Sequence, residues 1–429
     1  MTPIFPQQPD VATRNRVIAF CGLLARPALD DAQRQRLRAM ISDAAWSPIP
    51  RLTSFHLLEP LFFHHLKRAL GREYDEARVF APRPANVKAA PGDSELVMAY
   101  FHRAAILERV LKALAAGNVG KVMLIKGAAL APLYEAPATR QMCDADLVVA
   151  PESVHSVRAI LAAEGFVAHH HDASEVWHDA RSGFHIDLQQ PLTALSRRIF
   201  DRATPHPSFV PVGNVFLPQR GDHLLLIAMH AARNGGNRVW RDVCDANLLL
   251  YDDMKLQTIN EAFALAEEFQ TGRAAIGALL AFMGEVSPEF DAAGATANRV
   301  TVNDSVMKAT LGLYRELSTD SVPAVALNLV IVSTRPFSEY FSLVLQRLSR
   351  GGKSHGNDSS QWAETDPVMG TIGGGGTLSR QVTKLRLLMQ LWRSGQLARY
   401  RRLVETQKVV RVGNTIFEGA ADALEGGAK

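Results

Sequence analysis

Two periodicities divide the chain. From Val11 to Leu70 the apolar positions recur at helical spacing, with a stretch from Asp30-Asp31 to Met40 and another over Leu57–Leu70, punctuated by Pro48, Pro50 and Pro60. Residues Arg72–Gly92 are charged and Pro-rich and read as a loop. Asp93 or Ser94 can cap the next helix, whose stripe of Leu96, Val97, Phe101, Leu107, Val110, Leu111 and Leu114 runs toward a stop at Gly117. The period then shortens. Val122–Ile125 predicts a buried strand, Ala128–Tyr134 a short helix and Asp146–Val149 a second strand. Pro151–Glu164 predicts a helix with Pro in its first turn. Phe166–His169, Glu175–His178 and Phe184–Leu188 predict three more strands, the last two joined by the turn Arg181-Ser182-Gly183. Beyond Pro218 the helical period returns over Asp222–Arg233, Trp240–Tyr251, Leu256–Phe269, Ala274–Phe282 and Asp304–Leu317.

The pattern implies an α/β (α+β) chain: a mixed-sheet core at 93–218, with helical regions at 1–92 and 219–350 on either side. A Gly/Ser-rich linker at 351–379 and a basic helical tail at 380–429 follow. The tail carries Arg380, Lys384, Arg386, Arg393, Arg399, Arg401, Arg402, Lys408 and Arg411, interleaved with Leu385, Leu391, Trp392 and Tyr400. Such a segment suits an acidic partner, RNA or a membrane surface.

Composition narrows the class. Of 429 residues, 47% are hydrophobic and 21% charged, and the net charge is +4, which is globular and mildly basic. Cys21, Cys143 and Cys244 are widely spaced, which excludes a disulfide framework or a zinc ribbon and fits a reducing, cytoplasmic setting. Met1–Asp10 lacks the apolar core of a signal peptide. The apolar runs Val322–Val332 and Ala274–Met283 are too short for a transmembrane span, which needs about 20 residues, and read as buried helix segments.

The candidate chemistry lies where the period is two. Asp144 and Asp146, at i and i+2 on a strand, share a face and repel unless a cation lies between them. Lys126-Gly127 stands between a strand end and a helix start, a junction that suits a phosphate. Asp187, flanked by Ile186 and Leu188, points away from both. Three carboxylates beside a phosphate-binding turn describe a two-metal phosphoryl-transfer site. His169-His170-His171, His178 and His185 have no acidic or Cys ligand at zinc spacing and read as a polar hairpin. His230 with Arg233, Arg238 and Arg241 forms a basic group that either faces a nucleotide or lies solvated beneath the sheet, with Asp242 and Asp245 as partners that could orient the arginines.

Lys126-Gly127, Leu130, Tyr134, Arg140, Asp144 and Asp146-Leu147-Val148-Val149 together resemble the nucleotidyltransferase superfamily that includes DNA polymerase β. Within it the chain is most similar to the uncharacterised nucleotidyltransferases, from about Asp43 to Asp253, and His230, Arg241-Asp242 and Asp245 fit as well. The resemblance implies transfer of a nucleoside monophosphate from an NTP to an acceptor hydroxyl, with release of pyrophosphate. It implies Asp144, Asp146 and Asp187 as catalytic metal ligands, for two Mg²⁺ ions or Mn²⁺, and Lys126, Gly127 and Arg140 as nucleotide contacts. The acceptor is open: a small molecule, a peptide, a protein or an RNA. Gly127-Ala128 replaces the usual Gly-Gly or Gly-Ser and lacks the serine hydroxyl, which keeps a second class in view: an inactive nucleotidyltransferase fold serving as nucleotide sensor or scaffold.

Overall fold

The computed structural model describes residues 11–26, 28–42, 58–71, 93–142, 144–171, 174–233, 239–251, 253–286 and 305–317. The expected loop at Arg72–Gly92, the run Val322–Val332, the Gly/Ser-rich linker and the basic tail lie outside the described residues.

Among the described residues, helices α1 (Val11–Leu24), α2 (Asp31–Ser42) and α3 (Glu59–Leu70) precede the long α4 (Asp93–Ala116). Strand β1 (Val122–Ile125) runs straight into the short α5 (Lys126–Leu130), and β2 (Asp144–Val149) leads to α6 (Val154–Ala163). Strands β3 (Phe166–His171), β4 (Ser174–Asp179) and β5 (His185–Gln189) are followed by α7 (Ala194–Arg202), β6 (Thr204–Pro205) and β7 (Val215–Leu217). Helices α8 (Arg220–Arg233), α9 (Val239–Leu249), α10 (Lys255–Glu268), α11 (Arg273–Val286) and α12 (Ser305–Leu317) follow.

The seven strands form one mixed sheet in the order β3-β4-β5-β2-β1-β7-β6. Strand β2 runs antiparallel to β1 and parallel to β5, while β1 runs parallel to β7. The five strands expected from the pattern are present, and β2 starts at Asp144, two residues earlier than the expected start at Asp146. Strands β6 and β7 are additions to that set, because two- and three-residue strands carry no readable alternation. Helix α7 is a further addition. It begins at a reciprocal cap in which Thr193 Oγ1 accepts from Ser196 N (3.0 Å) and Ser196 Oγ accepts from Thr193 N (2.9 Å), so serine stands where a Glu or Gln would signal the start.

The sheet is covered on both faces, which is why all four residues of β1 are buried. Val122, Leu124, Ala145, Leu147, Val149, Ile186 and Leu188 face α4 and α6 in one core. Met123, Ile125 and Val148 point the other way. They belong to a second core that takes in Phe20, Phe62 and Phe63 of the N-terminal helices, Trp240 of α9 and Phe282 of α11. Helices α1–α3 and α8–α12 therefore share one apolar interior with a face of the sheet. Among the described residues no helix is long and apolar enough to cross a membrane.

Gly22 marks how closely these parts meet. A β-carbon there would lie 2.3 Å from the backbone carbonyl oxygen of Val286 at the end of α11. Alanine inside a helix normally stabilises relative to glycine by about 1 kcal/mol. Here overpacking reverses the sign, and Gly22→Ala should destabilise by about 1–3 kcal/mol, read as a lower urea midpoint at unchanged slope.

Candidate active site at the β1–α5 turn

Register assembles the carboxylates. In the parallel pair of β2 and β5, Asp146 lies beside Asp187 and Asp144 beside His185. Asp144 and Asp146 share the face of Val148, and Asp187 shares it too, since Ile186 and Leu188 enter the opposite core. All three acids thus open on the face that the second core covers. Asp144 is exposed at the strand end, Asp187 is half-buried and Asp146 is buried.

Lys126 enters this face from β1. Ile125 is the last extended residue, paired with Asp146, and Lys126 turns to φ +54°. This left-handed conformation is uncommon for a side chain with a β-carbon, and its occurrence beside clustered acids marks the turn. The turn is tied by the Lys126 N–H, which donates to Nε2 of His223 on α8 at 3.2 Å. The Lys126 Nζ reaches Asp146 Oδ1 at 2.6 Å, and the Gln189 side-chain amide donates to the same oxygen at 2.8 Å.

The charges act on one another. Burial works to lower the pKa of the Lys126 ammonium, but Asp146, followed by Asp144 and Asp187, outweighs it and holds it above its ordinary value. Burial, then the negative charges of Asp146 and Asp144, push Asp187 up to about 7 against the pull of Lys126. Among the described residues no three His, Cys, Asp or Glu side chains are gathered as a metal cluster.

Gly127 and Arg140 relate differently from the sequence expectation. Arg140 is buried, and its guanidinium forks onto Asp245 of α9, Nε to Oδ1 at 2.8 Å and Nη2 to Oδ2 at 2.7 Å, while Nη1 donates to the Gln141 carbonyl at 2.7 Å. It pairs with neither Asp144 nor Asp146. Its partner is a carboxylate that the sequence grouped with Arg241. A β-carbon on Gly127 would stand 3.1 Å from Arg140 Nη2 and 3.3 Å from Cζ and Nη1, so the close approach that needs glycine is made by this guanidinium. Tyr134 donates to Asp245 Oδ1 at 2.8 Å. Burial opposes ionisation of Asp245, yet Arg140 and the hydrogen bonds hold its pKa below the usual range.

The basic group expected around His230 divides in the same way. Asp242 lies with its Oδ1 3.5 Å from His230 Nδ1, and the side chains of Arg233 and Arg238 are outside the described residues. His178 and His185 sit on neighbouring strands with ring centroids 4.6 Å apart, in the hairpin the pattern predicts. The sequence reading missed Gln189 and His223. A histidine directly ahead of the apolar run Leu224–Met229 was the available signal for the latter.

No curated protein and no solved structure matches the chain. One family description does: "Uncharacterised nucleotidyltransferase" matches residues 42–281, more than half the length. That span holds the whole sheet, the β1–α5 turn and the helices α8 and α9 that tie it. By this match the chain belongs to the uncharacterised nucleotidyltransferase family.

Proposed function

We propose that the protein is a Mg²⁺-dependent nucleotidyltransferase that moves a nucleoside monophosphate from an NTP to an acceptor hydroxyl and releases pyrophosphate. The observation that carries this reading is the meeting of Asp144, Asp146 and Asp187 on one sheet face with Lys126 at a φ +54° turn. Mg²⁺ fits the donor set, because the three side chains offer hard oxygens only and lie on one face of neighbouring strands. Asp144, Asp146 and Asp187 would hold it, once Lys126 releases Asp146. When bound, the cation would lower the pKa of the acceptor hydroxyl and offset charge on the triphosphate.

The chain's own groups do the rest. Lys126, partly exposed, carries the ammonium that would move from Asp146 to the phosphates. Gly127 offers backbone at the same turn. Asp187, beside Asp146 in the register, would also be the carboxylate that takes the acceptor proton. The acceptor oxygen bonds to the α-phosphorus, the bridging α–β P–O bond breaks, and its electron pair leaves with pyrophosphate. The acceptor is a small molecule, a peptide, a protein or an RNA.

The test incubates the protein with each labelled NTP, Mg²⁺ and cell extract, beside the Asp144→Ala/Asp146→Ala variant. Label transfer present in the wild type and lost in the variant supports the enzyme. Tight NTP binding without transfer overturns it in favour of a nucleotide sensor.

A further inference from the structure

The β1–α5 turn is held from the helical region at several points. Asp245 on α9 receives Arg140, which presses on Gly127 at the start of α5, and also receives Tyr134, which follows α5. One carboxylate thus grips the segment at both ends. His223 on α8 takes the Lys126 N–H. Within α5, His206 donates from Nε2 to the Ala129 carbonyl at 2.8 Å. Gly127 does not need its glycine for a positive φ, since the left-handed residue is Lys126. It needs it for the room Arg140 fills.

We propose that Asp245 is a positioning residue for the nucleotide-binding turn, acting through Arg140 on Gly127, so that α9 is part of the transferase site. This rests on the reading of Lys126-Gly127 as the nucleotide contact. The Asp245 carboxylate fixes the plane of the guanidinium through two bonds, and the guanidinium fixes how far Gly127 can move. Lys126 is the preceding residue. Its aim at the phosphates therefore depends on a group that never touches them. A misplacement of about 1 Å at such a point costs a reaction up to about a hundredfold.

The experiment measures binding of a fluorescent NTP analogue with Mn²⁺, binding of Mn²⁺ in the absence of nucleotide, and transfer kinetics for the full chain. Asp245→Asn should weaken nucleotide binding and raise the NTP KM about tenfold or more, while Mn²⁺ binding at Asp144 and Asp146 stays within about twofold. Arg140→Lys, which keeps the charge and loses the fork, should act the same way and serves if Asp245→Asn does not fold. Gly127→Ala should also weaken nucleotide binding, and Arg140→Lys in the same chain should restore part of it by vacating the space of the new methyl group. A merely structural role would lower the urea midpoint of these variants and leave the nucleotide affinity of the folded protein unchanged. Wild-type binding of the analogue with equal binding by folded Asp245→Asn or Arg140→Lys would overturn the inference. Failure of the wild type to bind any NTP would instead overturn the nucleotide reading.

Discussion

Asp187→Asn is expected to make the metal-free protein more stable above pH 7 while sharply slowing transfer. Asp187 is a carboxyl whose folded pKa is raised from 3.8 to about 7 by burial and by Asp146 and Asp144. An acid with a raised folded pKa binds its proton more readily in the folded state, so its ionisation costs stability. That cost is fully present above about pH 7 and disappears as pH falls to 3.8. A rise of this size is equivalent to about 4 kcal/mol, and for a half-buried group free to relax, about 2–3 kcal/mol is a fair expectation. Asparagine fills the same space without the charge.

Urea unfolding in a chelator should therefore place Asp187→Asn above the wild type at pH 8, with the two converging near pH 4. Transfer should fall by about 10²–10⁴-fold, the usual contribution of a positioned base. With Mg²⁺ and NTP present, ligand binding should raise the midpoint of the wild type more than that of the variant. Equal stability at pH 8 would show that the three acids do not crowd one another. Retained transfer would remove Asp187 from the mechanism.

The acids were legible in the sequence because the signal is local. Asp144 and Asp146 open an apolar run at strand spacing, and Asp187 is the polar residue between two apolar ones. Their meeting follows from strand register, which the apolar faces fix. The supports were not legible for a physical reason. Arg140 and Asp245 are 105 residues apart, and Lys126 and His223 are 97 apart. Nothing in the sequence near Arg140 distinguishes a guanidinium aimed at phosphate from one aimed at a buried carboxylate. Gly127 suffers the same ambiguity, since a close approach by a ligand and by Arg140 both demand the missing β-carbon. The separation of helical and sheet regions likewise came from a change of period, which says nothing of the apolar interior the regions share.

Breaking the Arg140–Asp245 pair from one side should be the most damaging single change to the fold. The two side chains are 7% and 3% exposed, so either charge left behind is shut off from water and has lost its paired charge, Arg140 keeping the Gln141 carbonyl and Asp245 the Tyr134 hydroxyl. Removing one member of such a pair costs about 3–5 kcal/mol, and Arg140→Ala and Asp245→Ala should each lower the urea midpoint accordingly. Asp245→Ala also leaves the buried Tyr134 hydroxyl without its acceptor. The double variant Arg140→Met/Asp245→Leu removes both charges and keeps apolar volume, and should recover the loss apart from the cost of the orphaned Tyr134 hydroxyl, because the desolvation cost of the pair offsets much of its attraction. A single substitution costing less than about 1 kcal/mol would show that water reaches the site and that the fork is not sealed. Recovery in the double variant separates two properties that the single variants confound. Its fold is restored, but Gly127 has lost the guanidinium that limits its position. If the turn needs only a well-packed neighbour, the double variant binds nucleotide as the wild type does. If the turn is aimed by the fork, stability returns and nucleotide binding does not.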